Sequence, residues 1–195
     1  KQIGGSGRVV IVGGGAAGFA AAEMLRRHGF AGEIAMLSHD SAAPVDRPNL
    51  SKDYLAGSAP EDWVPLRGPD WYADNNVTLE LGTEVTAFNP QAKTVTLHSG
   101  ASLPYDKLLL ATGAEPVKLP VPGADLPHVH VLRSLADSRA IIAAAKTAKR
   151  VVVIGASFIG LEVTSSLRAR ELEVHVVAPE KRPLEKVFGP ELGYF

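Results

Sequence analysis

The sequence predicts an α/β protein built from two Rossmann-like (βαβ) dinucleotide-binding units, the first carrying an antiparallel β-meander insertion. Three observations predict it. RVVIVGGGAAGFAAAEMLRR, from Arg8, and RVVVIGASFIGLEVTSSLRAR, from Arg150, are copies of one pattern: an offset of 142 carries Gly13 onto Gly155, Gly18 onto Gly160, Leu25 onto Leu167 and Arg26 onto Arg168. Each copy runs from a short apolar β-segment through a glycine turn into an amphipathic helix, the layout that sets a pyrophosphate on a helix N-terminus. Around both copies, strand-like and helix-like segments alternate, as they do when helices pack on a parallel sheet.

The elements follow in order. Residues 8–12 read as a buried strand, and 16–28 as a helix with apolar Ala20, Ala21, Met24 and Leu25. EIAMLS (33–38) is the next strand. The Pro-rich stretch PVDRPNLSKDYLAG reads as a loop entering a short helix near Ser51. VTLELG (77–82), TEVTAFNP (83–90) and KTVTLHSG (93–100), with turn signals at Asn89-Pro90 and Ser99-Gly100, predict the meander. YDKLLLATGA (105–114) predicts a central buried strand ending in a Thr-Gly turn. Pro116, Pro120, Pro122 and Pro127 mark a crossing between domains, and a helix at about 134–148 leads to the second unit, whose second strand is EVHVVA (173–178). The expected domains are 1–7, a linker; 8–114, the first dinucleotide-binding domain; 115–149, a crossover; and 150–195, the second dinucleotide-binding domain.

Composition narrows the functional classes. The 195 residues are 46% hydrophobic, enough for one large or two small cores, and the net charge of −1 is interspersed, which argues against nucleic acid or a membrane surface as partner. No apolar run approaches a bilayer span, and the N-terminus lacks a basic-then-apolar signal segment. KQIGGSG reads as a flexible linker, so further sequence is expected before it. There are no cysteines, which excludes a disulfide framework, a thiolate metal site and a redox-active cysteine pair within this sequence. No metal site is predicted, and a cytoplasmic location is the default.

The three glycines of the first turn have distinct jobs. Gly13 allows the tight turn, Gly15 lets the backbone approach phosphate, and Gly18 permits close packing of helix on strand. A lone G-x-G-x-x-G also punctuates ordinary turns; repetition in one chain makes chance much less likely. The second copy keeps Gly155 and Gly160 but has Ser157 in the middle, a small residue whose hydroxyl can donate to phosphate. A Rossmann-like unit without ligand is the alternative there.

Five segments in order, GGGAAG, DRPNLSK, YDKLLLATGAEP, VLRSLADS and GASFIGLE, carry a resemblance. The sequence is similar to the FAD- and NAD(P)H-dependent ferredoxin reductases of oxygenase systems, and to the related apoptosis-inducing-factor flavoproteins. The resemblance implies FAD in the first domain, with Gly13, Gly15, Ala17 and Gly18 around its pyrophosphate, and NAD(P)H in the second, at Gly155, Ser157, Ile159 and Gly160. It implies Arg47 and Lys52 near the cofactor, with Lys52 close to the flavin ring, where a cation would stabilise charge on the reduced ring. Read alone, both are solvated loop charges. Val85 resembles a residue whose backbone meets adenine, yet would equally be plain core. Ala111, Thr112 and Gly113 resemble the turn passing the flavin, and Arg133 a further FAD contact or a surface arginine.

Glu162 stands where the first copy has Ala20. The resemblance implies that it faces the flavin side and pairs with Lys52 across the two domains, which makes Lys52 and Glu162 the expected catalytic pair; the alternative is a glutamate placed for the helix dipole. Aligning IAMLSHD with VHVVAPE pairs Ser38 with Ala178, His39 with Pro179 and Asp40 with Glu180. The family's ribose-binding acid falls on His39 on the FAD side, leaving Asp40 as the nearest carboxylate. On the nicotinamide side it falls on Ala178, with Glu180 two residues on. Lys181 and Arg182 follow and are able to receive a 2′-phosphate, so NADH is favoured only weakly over NADPH.

The resemblance also implies a chain of about twice this length. The sequence is therefore expected to be an N-terminal fragment with both units incomplete, inactive alone. Without a thiol, electrons would leave reduced FAD directly for an iron–sulfur protein of ferredoxin or Rieske type. An apoptosis-inducing-factor-like flavoprotein with redox-controlled partner binding, and a non-catalytic nucleotide-binding scaffold, are the other readings.

Overall fold

A computed structural model describes residues 5–194. In chain order the elements are β1 (Arg8–Val12), α1 (Ala16–Arg27), β2 (Glu33–Leu37), a 3-10 turn (Arg47–Ser51), α2 (Asp53–Ala56), a second 3-10 turn (Glu61–Trp63), α3 (Pro69–Asp74), β3 (Val77–Glu80), β4 (Val85–Asn89), β5 (Thr94–Leu97), β6 (Ser102–Pro104), β7 (Lys107–Leu110), α4 (Leu135–Ala145), β8 (Arg150–Ile154), α5 (Phe158–Ala169), β9 (Glu173–Val177) and α6 (Glu185–Leu192). They fall into two compact units. The first comprises the described residues through Asp46 together with Pro65–Glu115, and the second comprises Arg47–Val64 and the described residues from Pro116 onward. Of the expected linker, residues 1–4 lie outside the described residues, and the Gly7 carbonyl already accepts the Glu33 N–H at 2.8 Å.

The first unit is a four-stranded parallel sheet in the order β3-β2-β1-β7, with a separate three-stranded antiparallel sheet, β4-β5-β6. β-Branched and aliphatic residues with no polar interruption make β1 a strand buried on both faces. One face carries Val9, Ile11, Ile34 and Met36 against Phe19 and Ala22 of α1 and Tyr72 of α3. Phe19 and Trp71 lie 5.1 Å apart, and Trp71 meets Tyr72 edge-on at 5.2 Å. The other face carries Val10, Val12 and Leu37, covered by Val95, Val85, Leu97 and Leu103 of the meander.

Three expectations need correction. VTLELG does not join the meander: β3 pairs parallel with β2, and α3 supplies part of the crossover that a parallel neighbour requires. Alternating apolar residues mark a strand but do not say which sheet it enters. YDKLLLATGA is an edge strand rather than a central one, with Leu110 half exposed. Of the apolar residues expected in α1, Ala21 and Leu25 pack against the core, whereas Ala20 and Met24 are exposed and the buried residues are Gly18, Phe19 and Ala22. The close approach at Gly18 sets which face of the helix meets the strand.

The second unit repeats the start of the first. β8 and β9 pair in parallel with Arg150 opposite Glu173, the counterpart of Arg8 opposite Glu33. Leu167 and Leu172 pack with Leu55 of the short helix α2, and Ile141, Val151, Val163 and Val174 complete this core. Helix α4 opens on a capping box in which Ser134 and Asp137 satisfy each other's backbone N–H groups.

Candidate functional site: two glycine turns and a lysine–glutamate pair

In the first unit the chain leaves β1 through Gly13 at φ 121°, which L side chains rarely adopt. The Gly13 N–H donates to the Leu37 carbonyl at 2.8 Å, tying the turn to the end of β2. A Cβ on Gly18 would fall on the Gly13 carbonyl oxygen, and one on Gly13 would fall on the Ala111 carbonyl. Glycine is thus required at 13 by contact and by conformation, and at 18 by contact. The Ala111 N–H bonds the Val12 carbonyl at 2.8 Å, so the Ala111-Thr112-Gly113 turn is built against the glycine turn. No side chain caps α1, and Ala16 and Ala17 of its first turn are exposed.

Ser38 is buried beneath Gly14, whose missing Cβ makes room for its hydroxyl. His39 beyond it is exposed, Asp40 is half-buried, and the Asp40 carbonyl accepts from Gly82 at 3.0 Å. Val85 is partly buried against the Val10–Leu37 cluster, so its side chain is core; its backbone remains a candidate adenine contact.

The second turn has the same backbone. Gly155 stands at φ 115°, its N–H donates to Val177 O at 2.8 Å, and a Cβ on Gly160 would strike the Gly155 carbonyl. Gly15 and Ser157 occupy equivalent N-cap positions, both extended, and the Ser157 side chain makes no cap hydrogen bond. Ile159 is exposed. Ala178 is half-buried, and Glu180 is ion-paired with Lys186. The Lys186 ammonium beside Glu180 is the main reason its carboxyl sits below the usual range.

Lys52 and Glu162 come together within the second unit. Lys52 Nζ lies 2.8 Å from Glu162 Oε1, and Ser51 Oγ lies 2.6 Å from Glu162 Oε2. Hydrogen bonding from Lys52 first, then Ser51, holds the Glu162 carboxyl below the usual carboxylate range against a smaller opposing effect of burial. Lys52 belongs to the segment Arg47–Val64, which groups with the described residues from Pro116 onward. Arg47, at the head of that segment, is half-buried. Arg133 is half-buried too, and its Nε is buried without a hydrogen-bond partner among the described residues.

Several residues around Lys52 were not singled out by the sequence. Ser138 of α4 and Ser166 of α5 hydrogen-bond to the Leu50 and Ser51 carbonyls, at 3.0 and 2.7 Å. Arg139 of α4 takes Glu61 with two guanidinium nitrogens, and Tyr54 donates to the same carboxylate. Hydrogen bonds from Arg139 and Tyr54 hold Glu61 down to about 2. The signal available in sequence was the i, i+4 spacing of Glu162 and Ser166 opposite Ala20 and Met24 of the first copy. It identifies a diverged face but not its partner.

Among the described residues no helix is long and apolar enough to cross a membrane, and no cluster of three or more acidic or histidine side chains could hold a metal ion.

Comparison with known proteins places this geometry. The chain is 40% identical over 188 residues to rhodocoxin reductase of Rhodococcus erythropolis, covering 96% of this chain and 44% of that one. It is 41% identical over 187 residues to the ferredoxin–NAD(+) reductase component of the biphenyl dioxygenase system of Paraburkholderia xenovorans, covering 95% and 45%. Among solved structures, the covalent putidaredoxin reductase–putidaredoxin complex superimposes with a TM-score of 0.91 at 39% identity, covering 96% of this chain and 46% of that one. The chain thus spans about half the length of the relatives it matches. Residues 7–195 match the family model of the pyridine nucleotide-disulphide oxidoreductases, and the chain belongs to that family.

Proposed function

We propose that this chain is the dinucleotide-binding part of an FAD-dependent NAD(P)H oxidoreductase that passes electrons from nicotinamide via FAD to an iron–sulfur protein of ferredoxin or Rieske type. The observation that carries the reading is the pair of glycine turns opening onto helices without side-chain caps. Helices α2, α3 and α6 also lack side-chain caps, so it is the close-packed glycine turn ahead of each helix, and not the bare N-terminus alone, that marks α1 and α5. An uncapped first turn behind a close-packed glycine offers N–H groups and a positive dipole end to a pyrophosphate.

The first turn is assigned to FAD, with Gly13, Gly15, Ala17 and Gly18 at the pyrophosphate and Asp40 as the carboxylate nearest the ribose position. The second is assigned to the nicotinamide dinucleotide, with Gly155, Ser157, Ile159, Gly160 and Glu180. The orphaned, buried Nε of Arg133 fits an anionic or carbonyl group supplied by a bound cofactor. FAD and NAD(P)H supply the hydride and electron chemistry. Lys52 provides a fixed cation, and Glu162 holds its ammonium in place. No residue of this sequence supplies a thiol relay. NADH is the favoured donor, in keeping with the NAD(+) named for the biphenyl dioxygenase relative, and the cytoplasm the favoured location.

Anaerobic addition of NADH to the full-length protein tests the reading. The expected result is bleaching of the flavin absorbance, followed by its recovery when an oxidised iron–sulfur protein is added. A long-lived charge-transfer band with altered oligomerisation would favour redox-controlled partner binding instead, and purified protein without flavin would remove both readings.

A further inference from the structure

We propose that Ser138 and Ser166 are positioning residues for Lys52: two buried hydroxyls, one from each of two helices, clamp successive carbonyls of the Leu50–Ser51–Lys52 segment and so fix where the ammonium stands. The proposal rests on the reading of Lys52 as the cation beside the flavin ring.

The clamp is read from consecutive bonds. Ser138 Oγ donates to the Leu50 carbonyl at 3.0 Å, and Ser166 Oγ to the Ser51 carbonyl at 2.7 Å, with the Lys52 carbonyl at 3.1 Å. Ser138 is 0% exposed and Ser166 5%. On the side-chain side, Glu162 receives both the Ser51 hydroxyl and the Lys52 ammonium. Backbone and side chain of the segment are thus held from the same helix, α5.

Serine is a poor choice for a buried helix interior unless its hydroxyl has a task, because alanine favours the helix more and buries no polar group. The usual local outlet is the carbonyl one turn back. Thr164 of α5 takes it, donating to Gly160 O at 2.7 Å. Ser166, two residues on, points its hydroxyl to the loop instead. Arg170, one turn further, donates to the Leu55 carbonyl. Residues 162, 166 and 170 therefore form an i, i+4, i+8 stripe devoted to residues 51–55. The same stripe on the first copy is Ala20, Met24 and His28, all exposed. The two helices share a backbone plan and differ along the line that carries the loop.

The test uses the flavin-loaded full-length protein with Ser166→Ala, Ser138→Ala, the double variant, and Ser166→Thr, which keeps a hydroxyl. The carboxyl titration of Glu162 is followed by carbon NMR, the flavin midpoint potential by dye equilibration, and thermal unfolding separately. We expect each alanine variant to raise the Glu162 titration toward the ordinary value, as its donors loosen, and to make the flavin potential more negative; the double variant should do both most, and Ser166→Thr should restore both. A lowered melting temperature with the Glu162 titration unmoved in every alanine variant would reduce the serines to packing and overturn the proposal. If the double variant does not fold, the single variants decide by the same criterion. A Glu162 titration that moves while the flavin potential does not would keep the clamp and overturn the assignment of Lys52 to the flavin.

Discussion

The two copies of the strand–turn–helix pattern share backbone geometry and differ in what surrounds them. Gly13 and Gly155 have φ of 121° and 115°, donate at the same 2.8 Å to the last residue of the neighbouring strand, and precede helices of 12 residues. In the first unit the turn is walled by the Ala111 carbonyl, whereas among the described residues nothing stands within 4 Å of where a Cβ on Gly155 would be. The face bearing Val10 and Val12 is sealed by the meander, whereas the counterparts Val152 and Ile154 are 61% and 64% exposed. A repeated sequence therefore fixes a repeated local geometry, and the energetic weight of each position comes from its surroundings.

Substitution of the paired glycines gives the largest expected contrast. Gly155→Ala meets backbone strain alone, worth about 1–3 kcal/mol. Gly13→Ala meets the same strain and also drives its Cβ into the backbone at Ala111, which should bring the cost to about 4 kcal/mol or more. Urea unfolding of the two variants measures the difference, and equal costs would mean that the wall at Ala111 yields freely.

The paired arginines come next. Arg26 spends its guanidinium on four carbonyls, those of Asn75, Phe30, Gly32 and Asn76, at 2.6 to 2.8 Å. Its counterpart Arg168 bonds the Leu172 carbonyl at 2.7 Å. Lysine cannot reproduce a planar fork that reaches four acceptors. Arg26→Lys should cost about 2–3 kcal/mol, and Arg168→Lys about 1 or less. A smaller contrast of the same kind is expected at the paired valines: Val10→Ala should cost about 2 kcal/mol from a sealed face, and Val152→Ala about 0.5 or less. Matching losses at both valines would show that the second face is covered in solution.

These contrasts bear on what the sequence made legible. The glycine turns, their helices and the parallel pairing of the strand that follows were readable because φ, close approach and apolar runs are local constraints. The edge position of β7 and the entry of β3 into the parallel sheet were not, since a strand's neighbours are decided by segments far along the chain. At the site, Lys52 and Glu162 were legible through motif and divergence. Ser138, Ser166 and Arg139 were not, because a serine or arginine on a helix carries no mark of the carbonyl or carboxylate it will meet. Nothing in the sequence marks Glu61 either, although the structure gives it three donors.

That last network yields the smallest expected effect. Hydrogen bonds from Arg139 and Tyr54 keep the folded-state pKa of Glu61 near 2, below its ordinary 4.5. A depressed carboxylate stabilises the fold above its unfolded pKa, and the contribution fades as pH falls from about 4.5 toward about 2. Both side chains are close to half exposed, at 51% and 43%, so solvent screening reduces the gain to about 1 kcal/mol or less. Hydrogen exchange at pH 3 should therefore quicken in Glu61–Trp63 and the facing turn of α4 relative to β1, which has no part in this network. Glu61→Gln should remove most of that pH dependence while weakening the same segment at neutral pH. If protection of the segment, taken relative to the intrinsic exchange rate, is the same at pH 3 and pH 6 in the unsubstituted protein, the Arg139–Glu61–Tyr54 contact contributes nothing to holding the Lys52 segment, and the buried serines carry that task with the apolar packing of Leu55.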